Sequence, residues 1–377
     1  MKVALVHDYL REFGGAERVL KVLTEMYPKA PIYTAFSVKG STAQKEFRNT
    51  EIIESWLAPL LKIAKLYSPL RFLTPIVWGS MDLSNYDLVI TSCSWYITRG
   101  FKVGPKTRVV AYCHTPPRWL YGFETSVGFT KYWPVKVYAR VVGYFMKKYD
   151  FRVSRAINYW IANSRNVKER IWQFYNKKSV VIYPPVDVEK IAKVAKSIRK
   201  SEQKYFLVVS RLVGAKGLES IVEAFGDQSM AKYKLKIVGE AHGVSDTARA
   251  IKNLGINVKN IEFLGRVSDQ KLYELYAGAL GLICLAKQED FGMTPVEAMA
   301  AGTPVIAFGG GGYRESVIGG KTGLFVNNTK QTTIIVATHK LAKMSWSGEV
   351  IKKRALKFSK SRFINEFKSY LAQVLAK

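Results

Sequence analysis

The chain is 377 residues long, 48% hydrophobic, and carries 58 Lys and Arg against 29 Asp and Glu, a formal charge of +29. That length suits two α/β domains of about 180 residues rather than one, and the apolar share is enough to fill two cores, which excludes a disordered chain. Cys93, Cys113 and Cys284 are odd in number and lack CxxC spacing, which argues for reduced thiols and against a disulfide framework or a zinc site.

The first predicted strand is Val3–His7, with no basic leader or cleavage site before it, so no signal peptide is expected. His7-Asp8-Tyr9 follows, and Gly14-Gly15-Ala16-Glu17 then opens a helix over Glu17–Met26. The glycines permit close backbone approach to a ligand, although the turn is not the G-x-G-x-x-G fingerprint of nicotinamide binding. Ile52 to Met81 is apolar and aromatic, with Lys62, Lys65 and Arg71 as its only cations. Strands are predicted at Leu88–Ser92 and Val109–Cys113, the second leading into His114-Thr115-Pro116-Pro117-Arg118-Trp119. A lone histidine after a strand is more often structural, so His114 becomes a site candidate only through its neighbours. From Lys131 to Lys178 basic residues outnumber Asp150 and Glu169 and interleave with Trp133, Tyr138, Tyr144, Phe145, Tyr149, Trp160 and Trp172. Strands at Trp160–Ala162 and Val180–Tyr183 complete this half. Pro184-Pro185 cannot continue a central strand and a polar, lysine-rich stretch runs on to about Lys204, so the domain boundary falls there.

The second half predicts strands at Phe206–Ser210, Leu235–Val238, Ile261–Leu264, Leu282–Leu285, Val305–Ala307 and Leu324–Val326. Helices are predicted over Leu218–Phe225, Asp269–Ala277 and Val296–Ala300. Arg211 and Lys216 follow the first of these strands, where fixed cations can neutralise a diphosphate. After Leu285 comes Glu289-Asp290-Phe291-Gly292-Met293-Thr294-Pro295-Val296-Glu297. Thr294 reads as an N-cap, Pro295 as first-turn and Glu297 as the far end of a capping box, which by itself accounts for Glu297. The preceding loop, with Gly292 and a Phe291 expected to be exposed, places backbone amides at a helix N-terminus, a ready anion site. The longest apolar run, Ala277 to Ala286, is far short of the roughly 18–20 residues that span a bilayer. Phe363–Leu375 reads as an amphipathic helix. Strand–helix alternation in two series predicts two parallel sheets covered on both faces, with ligands at the carboxyl ends of the strands.

Taken together, Glu289 and Glu297 with seven residues between, Ser210-Arg211-Leu212 with Lys216-Gly217, Gly14-Gly15-Ala16-Glu17 and Cys113-His114-Thr115-Pro116 resemble glycosyltransferase family 4 over essentially the whole chain. The likeness is to enzymes of surface-polysaccharide and glycolipid assembly, many of them mannosyltransferases. It implies glycosyltransferase fold B: an acceptor-binding Rossmann-like domain over 1–185, a nucleotide-sugar-binding one over 186–360 facing it across a cleft, and a last helix, 361–377, crossing back to the first. It implies retaining hexosyl transfer from GDP-mannose, with a UDP-hexose as the alternative, to a saccharide or lipid-linked saccharide. Glu289 should contact the donor sugar and Glu297 the ribose, with Arg211 and Lys216 on the diphosphate. The amides of Gly15, Phe291, Gly292, Met293 and Thr294 should assist, the backbone at Arg266 and Val267 should meet the base, and His114 should face the sugar. No Asp-x-Asp clamp is evident, and neither a metal nor another cofactor is expected.

The excess charge favours a polyanion, and the two basic, aromatic segments suit the headgroup region of an anionic membrane. A cytoplasmic protein peripheral to the inner membrane face is therefore expected; a general solubility surface accounts for the same charge. Charge alone also fits a nucleic-acid-binding protein, but no binding module or aromatic platform is present, so none is expected. A nucleotide-sugar epimerase of similar shape finds no support in the loops.

Overall fold

The computed structural model describes residues 1–63, 67–123, 133–198, 205–213, 216–240, 246–256 and 258–376. They fall into two compact units, one built from residues up to Phe123, from 133 to Pro185 and from Ser361 onward, the other from Val186 to Lys360.

The first unit is a seven-stranded sheet of β1 (Val3–His7), β2 (Ile32–Thr34), β3 (Ile52–Glu54), β4 (Leu88–Cys93), β5 (Arg108–Cys113), β6 (Tyr159–Ala162) and β7 (Ser179–Val181). The order is β3-β2-β1-β4-β5-β6-β7, and every pairing is parallel. Because successive residues of a strand face opposite sides, Ala4, Val6, Val89, Val109 and Ala111 fill one core with Trp78 and Trp160. Val3, Leu5, Leu88, Ile90, Val110 and Tyr112 fill the other. The second core is closed by the helix Gly15–Met26, through Val19 and Leu23, and by the terminal helix Lys360–Leu375, whose Phe363 ring centroid lies 5.8 Å from that of Tyr112.

The second unit is a six-stranded parallel sheet of β8 (Tyr205–Val209), β9 (Lys234–Val238), β10 (Ile261–Gly265), β11 (Gly281–Cys284), β12 (Val305–Phe308) and β13 (Gly323–Val326). Its order is β10-β9-β8-β11-β12-β13. The helices Leu218–Phe225 and Gln331–Lys343 bury Ile221, Phe225, Ile334 and Leu341 against it.

All eleven strands expected from the sequence are present, within one or two residues at each end. β2 and β3, three residues each, were not foreseen, although β7, equally short, was. Nor was the 22-residue helix Trp133–Ser154. Its apolar residues do not fall on one stripe: Trp133 is 76% and Phe145 64% exposed, while Asp150 is buried. The lysine-rich stretch after Pro185, where the domain boundary was expected, contains the helix Val188–Ser197, whose Val188 and Ile191 are buried at i, i+3 spacing. Asp150 meets Arg99 in a fully buried ion pair, and the same carboxylate accepts from Tyr121 and Tyr175 hydroxyls at 2.8 and 2.7 Å.

Candidate functional site

In the second unit the chain leaves β8 towards β9 and returns to β11 on β8's other side. In such sheets the crevice at the carboxyl ends of that strand pair is where ligands sit. The candidates after these two strands do meet there. Lys216, just before the helix Leu218–Phe225, donates from Nζ to Glu289 Oε2 at 2.5 Å, and the Tyr313 hydroxyl reaches the same oxygen at 3.4 Å. The loop holding Glu289 is clamped by a glycine run after β12. Gly312 N donates to Glu289 O at 2.9 Å, and a Cβ at Gly312 would lie 2.3 Å from Phe291 Cα and 2.4 Å from Asp290 O. Only a residue without a side chain allows that approach. Burial pushes the nearby Cys284 thiol up to about 12, so this cysteine stays neutral.

Three sequence expectations change here. The helix begins at Met293 with Gly292 as its N-cap, not at Thr294: Gly292 takes φ +84°, and the Tyr313 ring would lie 2.6 Å from any Cβ there. Thr294 therefore sits inside the first turn, its Oγ1 3.8 Å from Cys284 Sγ. The capping box does not form, since Glu297 is buried one turn further in and accepts from the Tyr276 hydroxyl at 2.8 Å. Phe291 is buried rather than exposed, its ring centroid 5.4 Å from that of Phe358, which leaves only its backbone as a candidate ligand. The first-turn amides of Met293 and Thr294 have no acceptor within the helix and carry the positive end of its dipole. Arg211 is exposed just beyond β8, whereas Arg266 and Val267 follow β10, two strands away from it. The run Gly309–Gly312 with Tyr313 was missed in the sequence, where four glycines after a strand were the available signal.

The first unit has the same kind of strand pair at β1 and β4. Glu17 Oε2 accepts the Gly14 amide at 2.9 Å, and Gly15 is exposed at the helix start. Glu17 Oε1 lies 3.3 Å from His7 Nε2, His7 Nδ1 3.1 Å from Ser92 Oγ, and Ser92 Oγ 2.8 Å from His114 Nε2. His114 is held at both backbone atoms: its N donates to Cys93 O and its O accepts from Asn163 Nδ2, each at 2.9 Å. Burial, with His7 close by, pushes its imidazole down to about 3, so His114 is neutral. Asp8 ties the loop after β4, accepting from Ser94 Oγ at 2.7 Å and Trp95 N at 2.6 Å. Ser92 carries no sequence signal; it is found only because the sheet register sets it opposite His7.

Among the described residues no group of three or more His, Cys, Asp or Glu could hold a metal ion, and no helix is long and apolar enough to cross a membrane.

Two family models match consecutive stretches: Glycosyltransferase Family 4 over residues 13–190 and Glycosyl transferases group 1 over residues 189–358. The chain is 23% identical over 281 residues to the alpha-1,3/1,6-mannosyltransferase ALG2 of Dictyostelium discoideum, covering 65% of this chain and 64% of that protein. It is 29% identical over 185 residues to the O-antigen chain mannosyltransferase RfbU of Salmonella typhimurium, covering 46% and 48%. The chain thus spans less than two thirds of the length of either relative. Among solved structures, Anabaena Alr3699/HepE in complex with UDP-glucose superposes with a TM-score of 0.70 at 16% identity, over 99% of this chain and 100% of that one. With two parallel-sheet Rossmann-like domains and both family models in sequence along it, the chain belongs to the family 4 and group 1 glycosyltransferases of fold B.

Proposed function

We propose that this chain is a retaining hexosyltransferase that uses a nucleotide sugar, GDP-mannose first and a UDP-hexose second, to extend a saccharide or lipid-linked saccharide. The observation that carries the proposal is the Lys216–Glu289 pair beside the Met293 helix start, at the carboxyl ends of β8 and β11. A cation, a carboxylate and free amides converge there within a loop that glycines hold still. A diphosphate competes with Glu289 for the Lys216 ammonium and takes the Met293 and Thr294 amides, with Arg211 as a second cation. Glu289, released, accepts from hydroxyls of the sugar. Glu297 is assigned the ribose, the backbone at Arg266 and Val267 the base, the Gly15 amide a share of the diphosphate, and His114 the sugar.

In the reaction the bond from the anomeric carbon to the diphosphate breaks, and negative charge grows on the phosphate. Lys216, Arg211 and the amides stabilise that charge in place, without the reorganisation that water would need. The acceptor oxygen bonds on the same face and its proton passes to the departing phosphate oxygen. The mannosyl donor is supported by the two mannosyltransferase relatives, and the UDP-hexose by the UDP-glucose in the Anabaena structure.

The acceptor reading rests on the first unit. Tyr138 of the helix Trp133–Ser154 donates to Pro69 O, and Phe72, Tyr138, Val141, Phe145, Met146 and Arg152 line a groove of about 540 Å³. Trp56, Ile63, Trp133, Tyr144 and Phe145 stand exposed, on stretches that also carry Lys62, Lys136, Arg140, Lys147 and Lys148. Exposed aromatic side chains on stretches that also carry cations suit an anionic bilayer, so the enzyme is assigned to the inner membrane face with its acceptor.

Ligand-observed NMR against GDP-, UDP-, ADP- and dTDP-sugars tests the proposal. One preferred donor is expected, lost in Glu297→Ala but kept in Tyr276→Phe, which removes only Glu297's hydroxyl partner. A folded protein that binds none of them overturns it.

A further inference from the structure

We propose that Glu17, His7 and Ser92 are positioning residues that fix His114 in its Nε2–H form, so that His114 Nδ1 is presented as a hydrogen-bond acceptor and never as a donor. The four side chains form one unbroken line. His7 and Ser92 are register partners across β1 and β4, and His114 follows β5, whose Cys113 is the register partner of Cys93.

The polarity of that line follows from donor counting. An ionised carboxylate has acceptors only. Glu17 spends Oε2 on the Gly14 amide and turns Oε1 to His7 Nε2, so a neutral His7 carries its proton on Nε2 and its lone pair on Nδ1. Ser92 has a single hydroxyl hydrogen, and the Nδ1 lone pair at 3.1 Å takes it. The Ser92 oxygen is then left with acceptor capacity, so His114 Nε2 at 2.8 Å must donate to it. A neutral imidazole has one N–H, and His114 Nδ1 therefore keeps a lone pair. The burial of His114 reinforces this by keeping the ring uncharged.

The consequence rests on the glycosyltransferase reading given above. A fixed acceptor at His114 receives an O–H from the donor sugar. A donor that sets a carboxylate against that acceptor has no hydrogen to give and brings its charge against the lone pair. The line also ties the Gly14-Gly15 turn to His114, because Glu17 holds the Gly14 amide with one oxygen and His7, the next link towards Ser92 and His114, with the other.

Long-range ¹H–¹⁵N correlation on ¹⁵N-histidine protein at pH 8, where ordinary imidazoles are neutral, reads the tautomers with no ligand present. The expected wild-type pattern is a pyridine-type Nδ1 and a pyrrole-type Nε2 for both His7 and His114. In Ser92→Ala His114 should become a mixture of tautomers, and Ser92→Thr should restore the single form. Glu17→Gln should mix His7, because a carboxamide donates as well as accepts. A wild-type His114 protonated on Nδ1, or a Ser92→Ala spectrum unchanged at His114, overturns the proposal. With the preferred nucleotide sugar, Ser92→Ala should lower kcat about tenfold with KM within about twofold, the loss expected for one buried hydrogen bond. The two readings fail separately: an absence of donor binding leaves the tautomer spectrum intact, whereas a wrong tautomer appears even when a donor binds.

Discussion

Replacing Lys216 by Ala separates a structural lysine from one that serves the reaction, because the two roles differ in size. Lys216 Nζ is 2.5 Å from Glu289 Oε2, and the two side chains are 27% and 18% exposed. Water therefore screens the pair, which places its contribution to stability at about 0–1 kcal/mol. For a unit of this size that shifts the melting temperature by at most roughly 2–4 °C. The same ammonium, fixed beside the charge that grows on a departing diphosphate, contributes about 2.7–4 kcal/mol, or a factor of about 100–1,000 in kcat. Initial rates over a range of the preferred nucleotide sugar, with a thermal melt of the same preparation, read both quantities. The expected result is kcat lower by 100-fold or more with a nearly unchanged melt. A folded Lys216→Ala protein with kcat within about threefold of wild type refutes the assignment. A melting temperature lowered by 10 °C or more places Lys216 in the scaffold instead.

Three further outcomes follow from other parts of the molecule. Anionic vesicles should retain the protein at low salt and release it at high salt, with retention reduced in a Trp133→Ser, Phe145→Ser double variant; equal retention on neutral vesicles sinks the electrostatic part of that reading. Asp150→Ala should destabilise by about 3–5 kcal/mol, because it leaves the buried Arg99 guanidinium without its counter-charge. Adding Arg99→Met should recover most of that loss in a thermal or denaturant titration, and a single variant costing under about 1 kcal/mol would show that water reaches the pair. Burial lowers the folded-state His114 pKa to about 3 from an ordinary value near 6.5. The unfolded chain therefore binds the extra proton first as pH falls. The contribution of neutral His114 is complete above about pH 6.5 and is lost progressively towards pH 3. His114→Gln should flatten that part of the stability curve relative to wild type, and parallel curves would contradict it.

How much of this could be read from the sequence differs from part to part. The strands were legible because central strands of a parallel sheet are buried on both faces and stand out as apolar runs such as Val3–His7 and Leu282–Leu285. β2 and β3 were not, and the Trp133–Ser154 helix was not, because its apolar side chains are spread around its axis. The site candidates were legible as residue types at strand ends, and the sheet does bring Lys216, Glu289, Met293 and Thr294 together. Reading Thr294 as the cap was the wrong choice. Propensity favours a threonine there, but the close approach of Tyr313 requires a glycine with positive φ, and that contact comes from a segment some twenty residues further on.

By itself the sequence determined the two-sheet plan, the surplus of positive charge and the chemical types at each strand end, since these depend on local pattern and composition. Only the tertiary structure decided that Glu297 turns to Tyr276, that Phe291 is core, that Arg99 and Asp150 pair out of water, and that Glu17, His7, Ser92 and His114 share one line of hydrogen bonds. Each of these depends on which residues strand order and register bring within about 3 Å, the distance at which a hydrogen bond forms. Most of these partners lie twenty to eighty-five positions apart in the chain, beyond the reach of any local pattern.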